Sequence, residues 1–369
     1  MLTSTNKHQK LLNHLSVTAH ATSDFSYQHL TSFQTMAGVI SSVLHAVAPN
    51  CVCSKPRTKI TVVGTGAVGM AAAFAIMMKE LANEIALVDL MADKVRGEVM
   101  DMQEAQQFLN NCRIVGGPDY ALSAGSDVII ITAGARQQPG ESRLNLVQRN
   151  VDIYKKLIPQ LVKHSPEAVL LVVSNPVDIM TYVTWKLSGF PRNRVIGSGT
   201  VLDSARFRFF LGQRFGVDPS SVHGMIIGEH GDSSVAIWSK VTIGGCNLAS
   251  INPAIGTDKD PENFGQVHKD VVASAYEIIK AKGYTAWAIG VSCWRICDVI
   301  LNNKCAILPV TTAVKGLHGI THDAFLSLPC VIGAEGILQV VNISLDDSEV
   351  SALQKSAQVL SETTDGVNW

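Results

Sequence analysis

The run Gly64-Thr65-Gly66-Ala67-Val68-Gly69 constrains this chain more than any other feature, because of what stands on either side of it. Ile60 to Val63 read as a buried strand, and the apolar stretch from the glycines to Leu81 reads as a helix. A second strand-like run, Glu84 to Val88, follows, and Asp89 ends it 20 residues beyond Gly69. Each position has a mechanical task. Gly64 permits a tight turn, Gly66 lets the backbone approach a pyrophosphate at the helix N-terminus, and Gly69 allows close packing of helix on sheet. An acidic residue where Asp89 stands hydrogen-bonds an adenosine ribose and repels a 2′-phosphate, which selects NAD over NADP. The glycines alone are as common in ordinary loops; the strand, helix and Asp89 decide for a dinucleotide site.

Two further continuous apolar strands, Val128 to Ile131 and Val169 to Val173, are separated by a helix-length segment from Leu144 to His164. Such alternation predicts an α/β fold, a Rossmann-type doubly wound parallel sheet covered on both faces. Beyond Gly197 helices mix with shorter, turn-rich strands such as Val241 to Gly245, the pattern of a second, α+β catalytic domain. The expected organisation is an N-terminal extension over residues 1–56, an NAD-binding domain over 57–197 and a substrate domain over 198–369. A chain of 369 residues suits two packed domains.

The extension is rich in Ser, Thr and His, with Asp24 its only acidic residue and a weak helical stripe from Met36 to Val47. A mitochondrial transit peptide is Arg-rich, and no Arg precedes Arg57, so the segment reads rather as a flexible or subunit-embracing arm of a cytoplasmic protein; the mitochondrion is the alternative. Charged residues make up 17% and balance to −1, which provides no general field for nucleic acid or anionic lipid. The longest apolar run, Ala67 to Met78, is short of the ~18–20 residues that span a bilayer. The expected partner is a small molecule. The eight cysteines show no paired Cys-x2-Cys ligand spacing and read as reduced thiols, with no metal site.

Gly134 to Arg143 lies directly after a strand end, where ligands bind in open parallel sheets, and its Gly, Pro and polar residues suit a mobile lid. Asn175-Pro176-Val177-Asp178 follows another strand, Leu202 to Arg206 opens a helix, and Gly228 to Asp232 forms a glycine-rich turn around His230. Asp203 and Arg206, at i and i+3, can face one cleft. A carboxylate, a guanidinium and an imidazole in one pocket could bind and protonate an anionic carbonyl compound. Singly, each has an ordinary explanation: a core histidine, a helix N-cap, a surface ion pair, solvated loop arginines. Their company with a dinucleotide unit favours a site.

The segments VVGTGAVGM (62–70), TAGARQQPGESRLNLVQRNV (132–151), SNPVDI (174–179), GSGTVLDSARFRFF (197–210), GEHGDSS (228–234) and KGYTAWAIG (282–290) closely resemble the L-lactate dehydrogenases of the lactate/malate dehydrogenase family. The resemblance runs from about Lys59 to the C-terminus. It implies reversible hydride transfer between NADH and pyruvate, and a homotetramer. It further implies that His230 donates the proton to the substrate carbonyl, Asp203 orients it, Arg143 polarises the carbonyl and Arg206 clamps the substrate carboxylate. Gln137 and Thr285 would line the side-chain pocket, Asn175 would hold the nicotinamide end of the site, Ile289 would pack beside its ring, and Arg136 would lie near the cofactor phosphates. Arg208 and His223 resemble an inter-subunit anion site of some relatives and leave regulation by a sugar phosphate open.

The chemistry asks for the same set. Hydride reaching a keto carbon leaves negative charge on oxygen, so a cation and a proton donor must already be placed there. Planar Arg gives a carboxylate two parallel hydrogen bonds, which Lys cannot. The runs Gln103-Glu104-Ala105-Gln106 and Val291 to Asp298, with Trp294 and Arg295 where small and apolar residues are usual, depart from the family pattern, as does the ending Asp365 to Trp369. Two alternatives remain. Malate dehydrogenase chemistry would need a second cation where Gln137 stands, and a catalytically silent, crystallin-like homologue would not need the full set of His230, Asp203, Arg206 and Arg143.

Overall fold

The computed structural model describes residues 58–110, 112–135 and 143–368, Arg143 by its backbone alone. The extension, with the helix expected at Met36 to Val47, and lid residues 136–142 lie outside the described residues.

Strands β1 (Lys59–Val63), β2 (Glu84–Val88), β3 (Arg113–Gly117), β4 (Val128–Ile131), β5 (Val169–Val172) and β6 (Val195–Gly197) run parallel in the order β3-β2-β1-β4-β5-β6. Between them lie helices α1 (Ala67–Met78), α2 (Ala92–Ala105), α3 (Arg143–His164) and α4 (Val177–Ser188). Helices cover the sheet, so β1, β2, β4 and β5 are buried at every position and read as near-continuous apolar runs, interrupted by Lys59, Thr61 and Glu84. The charged strand starts neutralise one another: Glu84, 3% exposed, takes Lys59 Nζ at 2.7 Å and Arg113 Nη1 at 2.8 Å. Strand order reverses between β1 and β4, so the loops leaving their carboxyl ends diverge and open a crevice.

The sheet continues antiparallel past β6. Strands β7 (Val222–His223), β8 (Ile226–Gly228), β9 (Ser234–Ala236), β10 (Thr242–Ile243) and β11 (Cys246–Asn247) come first in the chain, with β12 (Ala306–Ala313), β13 (Phe325–Gly333) and β14 (Gly336–Val340) after them. Among the described residues, eleven strands form one sheet, ending β6-β12-β13-β8-β9 with β14 on β13, while β11-β10-β7 stand apart. The fold is thus a doubly wound parallel sheet that runs into an α+β half. Helices α5 (Val201–Phe215), α6 (Gly265–Lys282), α7 (Trp287–Leu301) and α8 (Asp347–Asp365) complete it. None of the described helices is long and apolar enough to cross a membrane.

Helix α7 packs on α1, and the close approach is set by Gly290: a methyl group there would stand 2.7 Å from the Ala71 carbonyl. Two of its unusual residues, Val291 and Trp294, line a shallow groove along that seam together with Phe74, Met78 and Lys79. Cys293, Ile296 and Cys297 are buried, whereas Trp294 is only partly buried, with the Lys79 ammonium over its ring. Arg295 reaches Asp298 at 2.9 Å, and Asp298 also accepts from Lys304 and Asn302. The other departures also find local partners. Gln103 donates to the Ile114 carbonyl and Gln106 to that of Cys112, tying α2 to β3. At the C-terminal end the Gln148 side chain exchanges two hydrogen bonds with the main chain of Asn368, while Val367 is buried.

Candidate active site

The glycine loop joins β1 to α1. Gly64 has φ +100°, and a methyl there would meet the Ala133 amide nitrogen at 2.7 Å. A methyl on Gly69 would overlap the Gly64 carbonyl oxygen. Gly66, at the N-cap of α1, is exposed and a methyl on it would meet no protein atom, so the space it leaves faces outward from the helix N-terminus. Asp89 follows β2 and closes the loop: one oxygen accepts from Thr65 N at 2.7 Å and Thr65 Oγ1 at 3.0 Å, the other from Met91 N at 3.0 Å. Burial pushes the Asp89 carboxyl up, but the Met91 and Thr65 hydrogen bonds outweigh it and hold the group below the usual carboxylate range. A helix N-terminus with an open cradle beside an ionised carboxylate fits a dinucleotide.

The second cluster is assembled by α5 and β8. Thr200 Oγ1 donates to the Ile226 carbonyl at 2.6 Å and Ile226 N donates to Ser204 Oγ at 2.9 Å, which stitches the first turn of α5 to β8. That stitching carries Asp203 to His230, which stands in the turn between β8 and β9. His230 Nδ1 lies 2.6 Å from Asp203 Oδ2, and Arg206 Nη1 donates to Asp203 Oδ1 at 3.0 Å. Asp203 and Arg206 are nearly buried and the His230 side chain is 27% exposed, so the imidazole alone of the three opens to solvent. Burial lowers the proton affinity of His230, but the charge and hydrogen bond of Asp203, helped by the charge of Asp178, lift its pKa to about 9. Burial raises Asp203; the His230 and Arg206 partners prevail and hold it below the usual carboxylate range.

Of the other candidates, Asn175 is exposed in the turn before α4, and its carbonyl accepts from Asn150 Nδ2 at 3.2 Å. Thr285 is half-buried in the connection to α7, and Ile289 packs in the first turn of that helix. Arg143 opens α3; Arg136 and Gln137 lie outside the described residues.

Three side chains with a place in this cluster, Asp178, Thr311 and Asn150, were assigned no role from the sequence. Asp178 on α4, 2% exposed, accepts from His230 N at 2.8 Å and Thr311 Oγ1 at 2.7 Å; burial lifts its pKa to about 6 against those bonds. Asn150, fully buried, also accepts from Ala135 N at 2.6 Å and so ties the stem of the lid segment to Asn175. Only the polar identity of Asp178 and Asn150 inside otherwise apolar helix faces could have flagged them.

Comparison with known proteins agrees with this geometry. Residues 58–197 match the model of the lactate/malate dehydrogenase NAD binding domain, and residues 200–368 that of the lactate/malate dehydrogenase alpha/beta C-terminal domain. The chain is 57% identical over 325 residues to the L-lactate dehydrogenase B chain of Sceloporus undulatus, covering 88% of this chain and 96% of that one. It is 57% identical over 305 residues to the L-lactate dehydrogenase A chain of Danio rerio, covering 83% and 92%, and 54% identical over 325 residues to the L-lactate dehydrogenase of Petromyzon marinus, covering 88% and 97%. With a nucleotide cradle, a histidine–carboxylate pair and matches spanning both halves, this chain belongs to the lactate/malate dehydrogenase family.

Proposed function

We propose that the His230, Asp203 and Arg206 cluster performs the chemistry of an NAD-dependent L-lactate dehydrogenase, the reversible reduction of pyruvate to L-lactate. The activity is that of the relatives, and the cofactor is NAD. Bound NADH supplies the hydride. The rest falls to this chain's residues.

The observation that carries the assignment of roles is the division of one buried carboxylate between two cations. Asp203 fixes the imidazole by Nδ1, which turns Nε2 toward the open side as the proton donor. The same Asp203 holds Arg206 beside it, where a guanidinium can clamp a carboxylate through two parallel bonds. Arg143 on the lid supplies the cation for the developing oxyanion, and Gln137 and Thr285 line the pocket for the methyl group. Gly64 and Gly69 shape the loop from which Gly66 meets the pyrophosphate, Asp89 holds the ribose, Arg136 lies near the phosphates, and Asn175 and Ile289 hold the nicotinamide end. The division of labour follows domains over 57–197 and 198–369, in a cytoplasmic homotetramer.

Within the family the choice between lactate and malate turns on the neutral amide of Gln137, since oxaloacetate would bury an unpaired carboxylate against it. The test is NADH oxidation with pyruvate, oxaloacetate and longer 2-keto acids side by side. Pyruvate should give the highest kcat/KM. Preference for oxaloacetate would overturn the assignment of Gln137, and no oxidation with any keto acid would leave a silent homologue.

A further inference from the structure

His230 is held by two carboxylates, and the proposed mechanism uses only one of them. Asp203 bonds the ring; Asp178 bonds the main chain, its Oδ2 accepting from His230 N at 2.8 Å. The other oxygen of Asp178 accepts from Thr311 Oγ1 on β12 at 2.7 Å, so the carboxylate is locked between three segments of chain: α4, β12 and the turn after β8. It is fully enclosed, at 2% exposure, in the first turn of a helix that begins at the carboxyl end of β5. Burying a charge that only stabilised a turn is expensive, since a neutral amide would make both bonds: its oxygen would accept from His230 N and its nitrogen would donate to the Thr311 hydroxyl. A carboxylate here is therefore a choice that hydrogen bonding alone does not explain.

We propose that Asp178 is a positioning residue for His230: its carboxylate, locked by Thr311, fixes the main chain that carries the imidazole and sets a second buried negative charge beside the proton donor. The inference rests on the reading of His230 as that donor. Among the described residues, the charged groups around His230 are few, and most are engaged. Asp203 and Arg206 come from α5 and bond each other. Glu229, the neighbour of His230 in the turn, accepts from Ser233 Oγ, and Asp232 accepts from Tyr276 of α6. His268 of α6 bonds Ser234 Oγ at 3.1 Å. Asp178 comes from α4, and its charge favours the imidazolium. Two effects follow, an anchoring effect and a charge effect, and substitution separates them.

Asp178→Asn keeps both hydrogen bonds and removes the charge. The inflection in pyruvate kcat/KM, set by a His230 pKa of about 9 in the parent, should then move to lower pH by about half a unit to one unit. L-lactate oxidation needs the neutral imidazole, so its rising limb should move the same way. At a pH just below the parent inflection the variant would lose pyruvate reduction and gain lactate oxidation. A merely structural residue would lower both directions and leave the inflection where it was, and that result overturns the proposal. Titration of His230 by NMR in the ligand-free protein reads the same shift without turnover. Activity of the parent therefore tests the functional reading, and the NMR titration tests this one separately. If Asp178→Asn does not fold, Asp178→Glu decides: charge retained and anchor displaced should leave the inflection unmoved while kcat falls in both directions, and unchanged turnover or a shifted inflection overturns the proposal.

Discussion

His230 Nδ1 lies 2.6 Å from Oδ2 of Asp203, and this contact fixes both the tautomer and the charge of the imidazole. With its pKa lifted to about 9, above the ordinary 6.5, His230 is a cation at neutral pH, the form that the proposed proton donor requires. Pyruvate kcat/KM should be level through neutrality and fall as pH rises through about 9, while L-lactate kcat/KM rises over the same interval. Initial rates in both directions, from about pH 6 to pH 10, check this. An inflection near 6.5 would show that Asp203 does not stabilise the imidazolium.

Asp203→Asn tests the contact itself. The amide keeps the shape but leaves His230 and Arg206 without the charge they share, at a cost of about 3 kcal/mol when one partner of a buried pair is removed. Pyruvate kcat/KM should fall roughly a hundredfold. NADH affinity, read by fluorescence titration, should stay near the parent value, because Asp203 is not part of the glycine loop. A tenfold loss of NADH binding would mean that the variant has disturbed the fold rather than the proton donor.

Asp89→Ala should weaken NADH binding and relax the rejection of NADPH. The structure adds a reason beyond the ribose: Asp89 also accepts from Thr65 within the loop, so the cradle loses its tie to β2 along with its charge. The measurement is the ratio of kcat/KM for the two cofactors. An unchanged ratio would show that the carboxylate serves the loop alone.

The parallel half was legible because its strands are buried on both faces and its turns need glycine: Glu84–Val88 and Val128–Ile131 read off the sequence with the bounds that the structure gives them. Strands β12 and β13 were not read, although they are long. Thr311, Thr312 and Ser327 interrupt their apolar pattern, and these polar residues are buried because Thr311 serves Asp178 and Ser327 accepts from the Thr200 amide. Their polarity answers contacts distant in sequence, which no local period encodes. Asp203, Arg206 and His230 could be grouped through their motifs. Asp178 could not, because its two partners lie 52 and 133 residues away.

Gly290→Ala should destabilise the protein without touching the site chemistry. The added methyl meets the Ala71 backbone at 2.7 Å, where neither helix has a flexible end to move aside. Overpacking of this kind costs about 1–3 kcal/mol, and the helix propensity of Ala returns up to ~1 kcal/mol, so a net loss of about 1 kcal/mol is expected. Thermal unfolding should shift down by roughly 2–4 °C. An unchanged transition would show that α1 and α7 are not pressed together at this point.

Arg206→Lys separates charge from shape at the proposed substrate clamp. Arg206 already gives one nitrogen to Asp203, and its planar fork leaves further N–H groups in fixed directions for a substrate carboxylate. Lysine keeps the positive charge beside Asp203, so folding and the His230–Asp203 contact should survive. A single ammonium, however, must serve both Asp203 and the substrate, and it has no second parallel bond to offer. The substrate carboxylate is then buried with an imperfect partner, a loss on the order of 2–5 kcal/mol, which puts pyruvate kcat/KM down at least about 30-fold. Most of the loss should appear in KM, because ground state and transition state share the clamp. Unfolding temperature and the pH inflection of the residual activity serve as controls, and both should stay near the parent. A Michaelis constant within about twofold of the parent would mean that Arg206 only balances Asp203, and the substrate carboxylate would have to be held by another residue.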